Sequence, residues 1–565
     1  MLSSLISRLR RERTQNRLAS DGPREESLEL DSHPLLESDT EDKPRSDQNE
    51  AGYAESKSSI PPPRPVGASW ASLPNKTQVI LLLLVKFSEL AYRSSTRTYL
   101  YSQLKWFDPS LPDSVVSTQA GTIQGFSTAV RVGSAIIVGR LADKASIGRK
   151  NMLLLGLFGY AVSSIGLAFS RSFFTAAMFQ AAGGLLDGNA GLVRTVLAET
   201  VKEKQYQTRT FTLLAVFANM GGAIGPIIGG VLADPVNSYP TVFGPGPRGW
   251  MTKWPYALPS LASALLCLLV VVMLSLGLDE TSEAARHRTD LGRRAGILIA
   301  YGLCSPRTRY SYRPLGENEM IDRGQDDVAR SEVGLNDASA SSRSSTSHES
   351  SGIRFLLVPT VLTLISRFLF NLHDVTYNTL SLVFFPAPRA SLLNDQGIHF
   401  GGGLGLTTSQ VGIAMSISGF ITIPLSLLVY PNISNRLGIL RSYLIFLPIA
   451  LLLYAVTPFL VFVPDRDLPL WLSIGGLMCL KAISRTFTCP ASSIILNNCV
   501  LDPSVRGTVN GVGSSITNAA TSIGPAVGGW VLGLGFKYNL VGAAWWGLVV
   551  VGLVQWFILW HLRHK

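Results

Sequence analysis

The pattern Gly-Pro-x-x-Gly-Gly occurs twice in this chain, each time inside a long apolar segment. The first copy contains Gly225, Pro226, Gly229 and Gly230, and the second contains Gly524, Pro525, Gly528 and Gly529. The asparagine six residues upstream is shared as well, as Asn219 and Asn518. Proline removes a backbone hydrogen bond and kinks a helix, while glycine lets membrane helices approach closely. One specialised helix type therefore occurs at two equivalent positions, which predicts a duplicated membrane domain.

The composition also predicts a membrane protein. Of the 565 residues, 47% are hydrophobic and 15% are charged, whereas soluble globular proteins carry about 25% charged residues. A helix needs roughly 20 apolar residues to cross a bilayer core of about 30 Å. The first six predicted spans are Val79–Tyr101, Val116–Val138, Met152–Ser170, Phe173–Leu197, Phe211–Ala233 and Tyr256–Leu276. The second six are Phe355–Val383, Thr407–Tyr430, Ser442–Val461, Leu470–Ile494, Thr508–Leu532 and Asn539–Trp560. We therefore predict an all-α membrane protein with twelve transmembrane helices in two pseudo-symmetric six-helix bundles, residues 77–278 and 353–565.

Two polar segments lie outside these bundles. Residues 1–76 and the linker 279–352 are rich in Ser and charged residues, so we expect both to be disordered and cytoplasmic. Within the tail, Asp31, Leu35 and Leu36 fit an acidic dileucine signal that sorting adaptors would bind, which favours a vacuolar or lysosomal membrane. A chance match in a low-complexity tail is the alternative.

The formal charge of +11 has a topological explanation. Arg140, Lys144, Arg149 and Lys150 crowd the short loop after the second span, and basic short loops stay cytoplasmic. We therefore expect both termini in the cytoplasm and no nucleic-acid partner. The choice between plasma membrane and vacuolar membrane stays open. The five cysteines show neither a disulfide framework nor metal-ligand spacing, so we expect no metal and no cofactor.

The loop after span two carries a family signature. It has Gly139, Asp143, Gly148, Arg149 and Lys150 in an order that resembles the G-x-L-a-D-r-x-G-r-k motif of the major facilitator superfamily. A weaker counterpart, Asn435–Arg441, follows span eight. In this interpretation Gly139 allows close helix approach, and Asp143 latches the cytoplasmic side through a helix N-terminus or a loop arginine.

The resemblance extends to one branch of that superfamily. The Gly-Pro-x-x-Gly-Gly run resembles the motif of members that export by antiport, and simple helix packing is the alternative. The stretches Gly184–Glu199 and Leu278–Thr281 are similar to fungal drug:proton antiporters. Gln180 stands where such transporters usually have an arginine.

Charged residues inside the spans point to a polar interior. Lys86, Glu89, Arg93 and Arg97 fall on one stripe of span one, where Glu89 can pair with both Lys86 and Arg93. A charge in mid-bilayer costs at least about 2.5–3.5 kcal/mol, so it usually faces a cavity. A purely structural role for these pairs is the alternative, as is outward snorkelling of Arg97.

The family resemblance implies a central cavity lined by spans one, four, seven and ten. Besides the stripe in span one, these spans carry Asp187, Arg194, Arg367, His373, Asp374, Lys481 and Arg485, and span two adds Arg131. Basic residues outnumber acids in this set, and a positive cavity concentrates anions. We therefore expect an anionic or carboxylate-bearing substrate. Pairing of some arginines with helix C-termini or lipid phosphate is the alternative.

Glu89 is the first candidate for proton coupling, followed by Asp187, Asp374 and the neighbouring His373. Together these features predict a monomeric, proton-coupled exporter of small organic molecules or drugs. It would work by alternating access of its two bundles. A symporter that imports an organic anion or nutrient is the alternative, and a non-transporting membrane receptor is a more distant one. The sequence has no nucleophile–base set and no phosphate-binding loop, so we do not expect an enzyme.

Overall fold

The computed structural model describes residues 75–563 except 145, 188, 202, 244–248, 283–284, 286–289, 304–348, 390–398, 465 and 500–505. The proposed sorting residues Asp31, Leu35 and Leu36 lie outside the described residues, as do the tail up to residue 74 and most of the linker.

The described chain is helical apart from two isolated β-bridges, which confirms the predicted all-α fold. Spans one to six correspond to Lys76–Phe107, Asp113–Ala142, Arg149–Ala168, the pair Phe173–Leu185 and Asn189–Thr200, Lys204–Val231, and Ala257–Gly277. Three short helices, Pro235–Ser238, Pro240–Phe243 and Gly249–Lys253, lie between spans five and six.

Spans seven to twelve begin with Glu349–Phe384 and continue with Thr408–Pro424, which runs through a π-helical turn Leu425–Val429 into Tyr430–Leu437. Span nine is Ile439–Val456 with a 3-10 turn Thr457–Phe462, and it is followed by Asp467–Asn498, Arg506–Lys537 and Gly542–Arg563. Within the described residues, eight helices are long and apolar enough to cross a membrane. Spans one and two, the split span four and span seven are not among the eight, and they carry much of the buried charge described below.

Span four is broken, whereas the sequence predicts one continuous helix. Its first part ends at Leu185 and its second begins at Asn189. Gly183 and Gly184 disfavour an intact helix here. The freed carbonyl of Gly184 accepts hydrogen bonds from the Asp187 amide at 3.2 Å and from Ser134 Oγ at 2.9 Å. Because both bonds come from protein groups, the break can persist inside a bilayer.

The linker also contains structure that the sequence analysis does not expect. A helix covers Leu291–Leu303, within the segment 279–352 expected to be disordered. Asp290 caps it by accepting the Arg293 amide at 3.0 Å. Gly292 and Gly296 place its backbone directly against the end of span six. These tertiary contacts stabilise a segment whose composition alone suggested disorder.

The two Gly-Pro-x-x-Gly-Gly runs occupy matching positions in the two bundles. In span five, Gly225 and Gly229 pack on the backbone of span one, at Ala91 and Ser95. In span eleven, Gly524 and Gly528 pack on span seven as well, but against the side chain of Thr376. The first two glycines of each run therefore pack against a helix of their own bundle.

The last glycine of each run contacts the other bundle. A Cβ atom at Gly230 would lie 2.9 Å from Gly412 Cα in span eight, and one at Gly529 would lie 2.8 Å from Gly121 Cα in span two. Ser117 Oγ also donates to the Gly529 carbonyl at 2.9 Å. The duplicated pattern thus forms a matched pair of glycine contacts between the bundles.

These contacts lie toward one end of the molecule. We call the end that carries residues 139–150 the loop end and the opposite end the far end. A buried apolar cluster with residues from both bundles, among them Tyr99, Tyr377 and Trp545, lies with the glycine contacts on the far side of the buried charges. The far end is therefore closed.

Candidate functional site

Glu89 is the centre of the charged stripe of span one. Its side chain is fully buried, its Oε2 accepts a hydrogen bond from Lys86 Nζ at 3.0 Å, and Arg93 Nη2 lies 2.8 Å from its Oε1. The Arg93 contact is an ion pair without hydrogen-bond geometry, so Oε1 has no hydrogen-bond donor within the described residues. The sequence-predicted pairing of Glu89 with both cations is present in the structure.

Asp187 lies at the break of span four and connects three spans. It forms a close ion pair with Arg93 of span one, and its Oδ2 lies 3.6 Å from Arg131 Nη1 of span two. Arg93 also donates to Tyr160 of span three at 2.9 Å. Asp187 is 3% exposed, and its Oδ1 has no hydrogen-bond partner in the described chain. Arg93 therefore bridges two buried carboxylates, each of which keeps one oxygen free of hydrogen bonds.

A small pocket of about 40 Å³ opens beside these groups. It is lined by Arg93, Arg97, Arg131, Gln180 and Asp187, among others. Water occupies about 30 Å³ per molecule in the liquid, so the pocket admits one small group of a substrate. Arg97 is directed into this pocket rather than snorkelling outward, and no described acid lies within ion-pairing distance of it. The pocket therefore carries an excess of positive charge.

The second bundle holds its charges between spans seven and ten. Arg485 Nη1 donates to Asp374 Oδ2 at 2.9 Å, and Lys481 Nζ donates to Asn378 Oδ1 at 2.7 Å. The Lys481 ammonium also lies 5.3 Å from the centre of the Tyr377 ring, a cation–π contact. The two cations spaced by four thus meet one face of span seven, as their spacing predicts.

His373 lines the same small pocket as Asp374, Lys481 and Arg485, but both of its ring nitrogens have hydrogen-bond partners of their own. Its Nδ1 lies 2.8 Å from the Tyr454 hydroxyl and its Nε2 lies 2.7 Å from Gln555 Oε1. Gln555 in turn donates to the Tyr443 hydroxyl at 2.6 Å. Because Gln555 Oε1 can only accept, we assign the proton of the neutral ring to Nε2. This geometry fits a structural role in packing spans seven, nine and twelve together.

The remaining predicted cavity residues are not brought together with the pocket. Arg194 is exposed on the second part of span four. Arg367 donates to the hydroxyls of Thr517 at 2.9 Å and Ser493 at 3.2 Å, so it connects spans seven, eleven and ten.

The loop after span two departs from expectation at Gly139. A Cβ atom there would meet nothing within 4 Å, so Gly139 does not mediate a close helix approach in this structure. Gly148, by contrast, has φ +81°, a left-handed conformation that favours glycine. Asp143 is 69% exposed and lies 3.4 Å from Arg149, the loop-arginine arrangement of the two that we considered.

Arg149 and Lys150 connect this loop to other elements. Arg149 forms a close ion pair with Glu199 at the end of span four. Lys150 Nζ lies 2.5 Å from Asp290 Oδ2. Glu280 accepts the backbone amides of Arg149 and Lys150 at 3.1 and 3.0 Å, which caps the N-terminus of span three. Burial alone would raise the pKa of Asp290, but hydrogen bonds from Lys150 and the Arg293 amide hold it below its usual range.

Sequence reasoning missed several partners in these clusters. Tyr160, Tyr454 and Gln555 have polar groups on otherwise apolar spans, which is a usable signal, but their partners lie far away in sequence. Asn189 is fully buried, and neither side-chain amide atom has a hydrogen bond within the described residues. It follows the break in span four, which the sequence does not predict.

Comparison with known proteins supports the fold and its class. The family model of the Major Facilitator Superfamily matches residues 109–525. The chain is 26% identical over 513 residues to a "Major facilitator superfamily multidrug transporter mfsB" of Aspergillus fumigatus, which covers 86% of this chain and 84% of that protein. It is 23% identical over 438 residues to "Protein ZINC INDUCED FACILITATOR-LIKE 1" of Arabidopsis thaliana, covering 77% of this chain and 80% of that protein.

A solved structure, a "peptide transporter POT in complex with sulfate", has a TM-score of 0.55 at 14% identity. The alignment covers 88% of this chain and 96% of that one. A "D-xylose-proton symporter" has a TM-score of 0.54 at 12% identity, with 86% and 97% covered. These likenesses concern the fold alone. The fold, the paired motifs and the family match lead to one conclusion: this chain is an integral membrane transporter of the Major Facilitator Superfamily, and not an enzyme.

Proposed function

We propose that this transporter exports small organic molecules that carry a carboxylate or another anionic group, in exchange for protons. The observation that carries this proposal is the excess positive charge around Arg97. Arg97 and Arg131 line the same small pocket as Arg93, and the described acid in that pocket is Asp187. A guanidinium binds a carboxylate through two parallel hydrogen bonds, which gives both affinity and orientation. The anionic group of the substrate would bind here.

Coupling to protons follows from the position of Arg93. It pairs with Glu89 and with Asp187 at once, and each carboxylate has one oxygen without a hydrogen-bond donor among the described residues. Protonation of either acid weakens its hold on Arg93 and so changes the partners of that arginine. Proton binding at the acids and anion binding at the neighbouring arginines would thus be coupled through Arg93. We rank Glu89 and Asp187 above Asp374 as proton sites, and the hydrogen bonds of His373 favour a structural role instead.

The orientation and direction of transport are inferred from charge and motif. The loop end carries the basic residues Arg140 and Lys144, so we place it, with both termini, in the cytoplasm. The closed far end then makes this the inward-facing state, in which cytoplasmic cargo reaches the pocket. The Gly-Pro-x-x-Gly-Gly run, which resembles the motif of members that export by antiport, favours export over import. The monomeric state and the role of Asp31, Leu35 and Leu36 in vacuolar sorting remain predictions.

The test is flux into proteoliposomes that contain the full-length transporter with its loop end outward. An acidic interior should drive uptake of a carboxylate compound, and its neutral amide analogue should be taken up at least about tenfold more slowly, since a charge-assisted pair contributes about 1.5–3 kcal/mol. Glu89→Gln should abolish the response to the pH gradient. Asp113→Asn provides a matched control, because Asp113 pairs with Lys105 at 3.1 Å outside the charged pocket.

Each part of the proposal has a result that would contradict it. Uptake driven by an acidic exterior instead would establish symport, which an inward proton gradient in the cell would turn into import. Equal uptake of the acid and its amide would remove the anionic substrate class. Full gradient-driven flux in Glu89→Gln would exclude Glu89 as the coupling residue.

A further inference from the structure

The helix Leu291–Leu303, which we call the surface helix, has one face fixed to the protein. Its Gly292 and Gly296 lie one turn apart and both meet the last turn of span six. A Cβ atom at Gly292 would lie 2.5 Å from the Ser275 carbonyl oxygen. Any larger side chain at these positions would push the helix away. The glycines therefore hold the surface helix at the point where span six reaches the loop end.

The opposite face of the surface helix exposes both apolar and basic side chains. At 3.6 residues per turn, Arg294 and Leu298 point away from the two glycines. Leu298 is 72% exposed, Ile297 is 41% exposed, and Arg294 is exposed beside them. Exposed leucine and isoleucine next to an arginine at the boundary of a membrane domain are typical of helices that lie in the lipid interface.

Two ion pairs connect the surface helix to the rest of the first bundle. Asp290, directly before the helix, pairs with Lys150 at 2.5 Å, and Lys150 also donates to the Ser275 carbonyl at 2.9 Å. Arg293 Nε lies 2.7 Å from Asp279 at the end of span six. Lys150 is the last residue of the motif in the loop after span two, and it lies in the first turn of span three. The surface helix is thus joined to the loop after span two, which we interpret as a latch and call the gating loop.

We propose that the surface helix binds anionic phospholipid and transmits that binding to the gating loop. Leu298 and Ile297 lie at the boundary of the acyl chains, and Arg294 binds the headgroup phosphate. Exposed Arg140 and Lys144 at the same end of the bundle add to the positive charge that attracts such lipids. Lys150 and Asp290 form the connection between the bound helix and span three. This role is independent of the substrate and of the proton sites proposed above.

The first experiment measures lipid binding to the full-length protein in detergent. The midpoint of thermal unfolding is followed while phosphatidylglycerol, phosphatidylcholine or inorganic phosphate is added. Phosphatidylglycerol should stabilise the transporter most, and Arg294→Ala should raise its half-maximal concentration about fivefold, as expected for one basic residue at an anionic surface. Lys253→Ala is the matched control, because Lys253 is exposed in a short helix between spans five and six, toward the far end.

An unchanged titration in Arg294→Ala would overturn lipid binding by the surface helix. So would equal stabilisation by phosphatidylcholine, or full stabilisation by inorganic phosphate alone.

The second experiment locates the exposed face. Leu298→Cys carries a fluorophore in proteoliposomes, the same label on Lys144→Cys serves for comparison, and the unsubstituted chain gives the background from native cysteines. The label at residue 298 should be quenched by spin-labelled lipid, and the label at residue 144 by aqueous iodide. Stronger quenching of residue 298 by iodide than by lipid would contradict the proposal.

The third measurement tests the connection to the gate. Addition of phosphatidylglycerol to the liposomes should raise the transport rate of the unsubstituted protein. Asp290→Asn should retain lipid binding in the thermal titration and lose this stimulation. A normal stimulation in Asp290→Asn would show that the Lys150–Asp290 pair does not transmit lipid binding.

Discussion

The two bundles share a fold but treat their buried charges differently. In the first, Glu89 and Asp187 are at most 3% exposed and share Arg93, whose side chain is 19% exposed. In the second, Asp374 pairs with Arg485, whose side chain is 40% exposed, and Lys481 is bound by the neutral Asn378. A change of protonation in the first bundle must therefore rearrange ion pairs, whereas in the second bundle solvent can compensate. This contrast suggests that the first bundle carries the coupling and the second contributes mainly to binding and packing.

The largest expected effect compares Asp187 of the first bundle with Asp374 of the second. Asp187→Asn leaves Arg93 and Arg131 with a neutral partner in a buried site, and breaking a buried pair typically costs about 3–5 kcal/mol. We expect gradient-driven flux to fall at least about a hundredfold, which corresponds to about 2.8 kcal/mol. Asp374→Asn should reduce flux less than about tenfold, because its arginine is half-exposed and the coupling of exposed pairs is at most about 1 kcal/mol. Both are measured as initial rates in proteoliposomes at matched protein content. Equal losses would remove the division of labour between the bundles.

The second prediction compares two arginines in their interactions with substrate. Arg97→Gln should raise the KM for a carboxylate substrate about tenfold and leave that for its amide unchanged, since one charge-assisted hydrogen bond contributes about 1.5–3 kcal/mol. Arg367→Gln should change both compounds alike, because Arg367 already binds two hydroxyl groups between its helices. KM values for the acid and amide in each variant provide the measurement. A preference for the acid that survives in Arg97→Gln would place the anion site elsewhere.

The third prediction concerns a feature in which the bundles are alike. Gly230→Ala and Gly529→Ala each place a methyl group within 3 Å of a glycine Cα in the other bundle, so both should weaken the closed far end. We expect flux to fall severalfold in both variants, on the basis of about 1–3 kcal/mol for overpacking. Accessibility of a cysteine at Ser102 to a far-side reagent should rise in parallel. Gly475→Ala is the control, because a Cβ atom there meets nothing within 4 Å. An effect in only one half would show that the matched contacts are not functionally equivalent.

The smallest functional effect is expected at His373. His373→Phe removes partners from Tyr454 and Gln555 and should lower stability by about 1–3 kcal/mol through unsatisfied polar groups. The dependence of flux on pH should keep its shape, because a neutral ring between two fixed partners does not take part in coupling. A thermal unfolding series and a pH profile of flux measure the two quantities. A shifted pH profile would return His373 to the set of proton sites.

Much of the fold follows from the sequence, because apolar length and the duplicated glycine pattern depend on local composition. The stripe of Lys86, Glu89 and Arg93 is equally local, since helical geometry alone brings its members together. The bridge from Arg93 to Asp187 was not predictable, because it depends on the break in span four. That break requires Ser134 of another helix to bind the freed carbonyl. The surface helix was not predicted for the same reason, because its stability comes from contacts with span six rather than from its own sequence.

The matched glycine contacts at the far end have a consequence for selectivity. Gly121, Gly529, Gly230 and Gly412 bring main chain against main chain, so these contacts themselves present little side-chain chemistry to a departing molecule. A contact between main chains recognises no particular functional group, and it cannot be altered by exchanging one side chain for another. We therefore expect substrate selection at the charged pocket rather than at these contacts. New specificities can then evolve at the pocket without disturbing the closure of the far end.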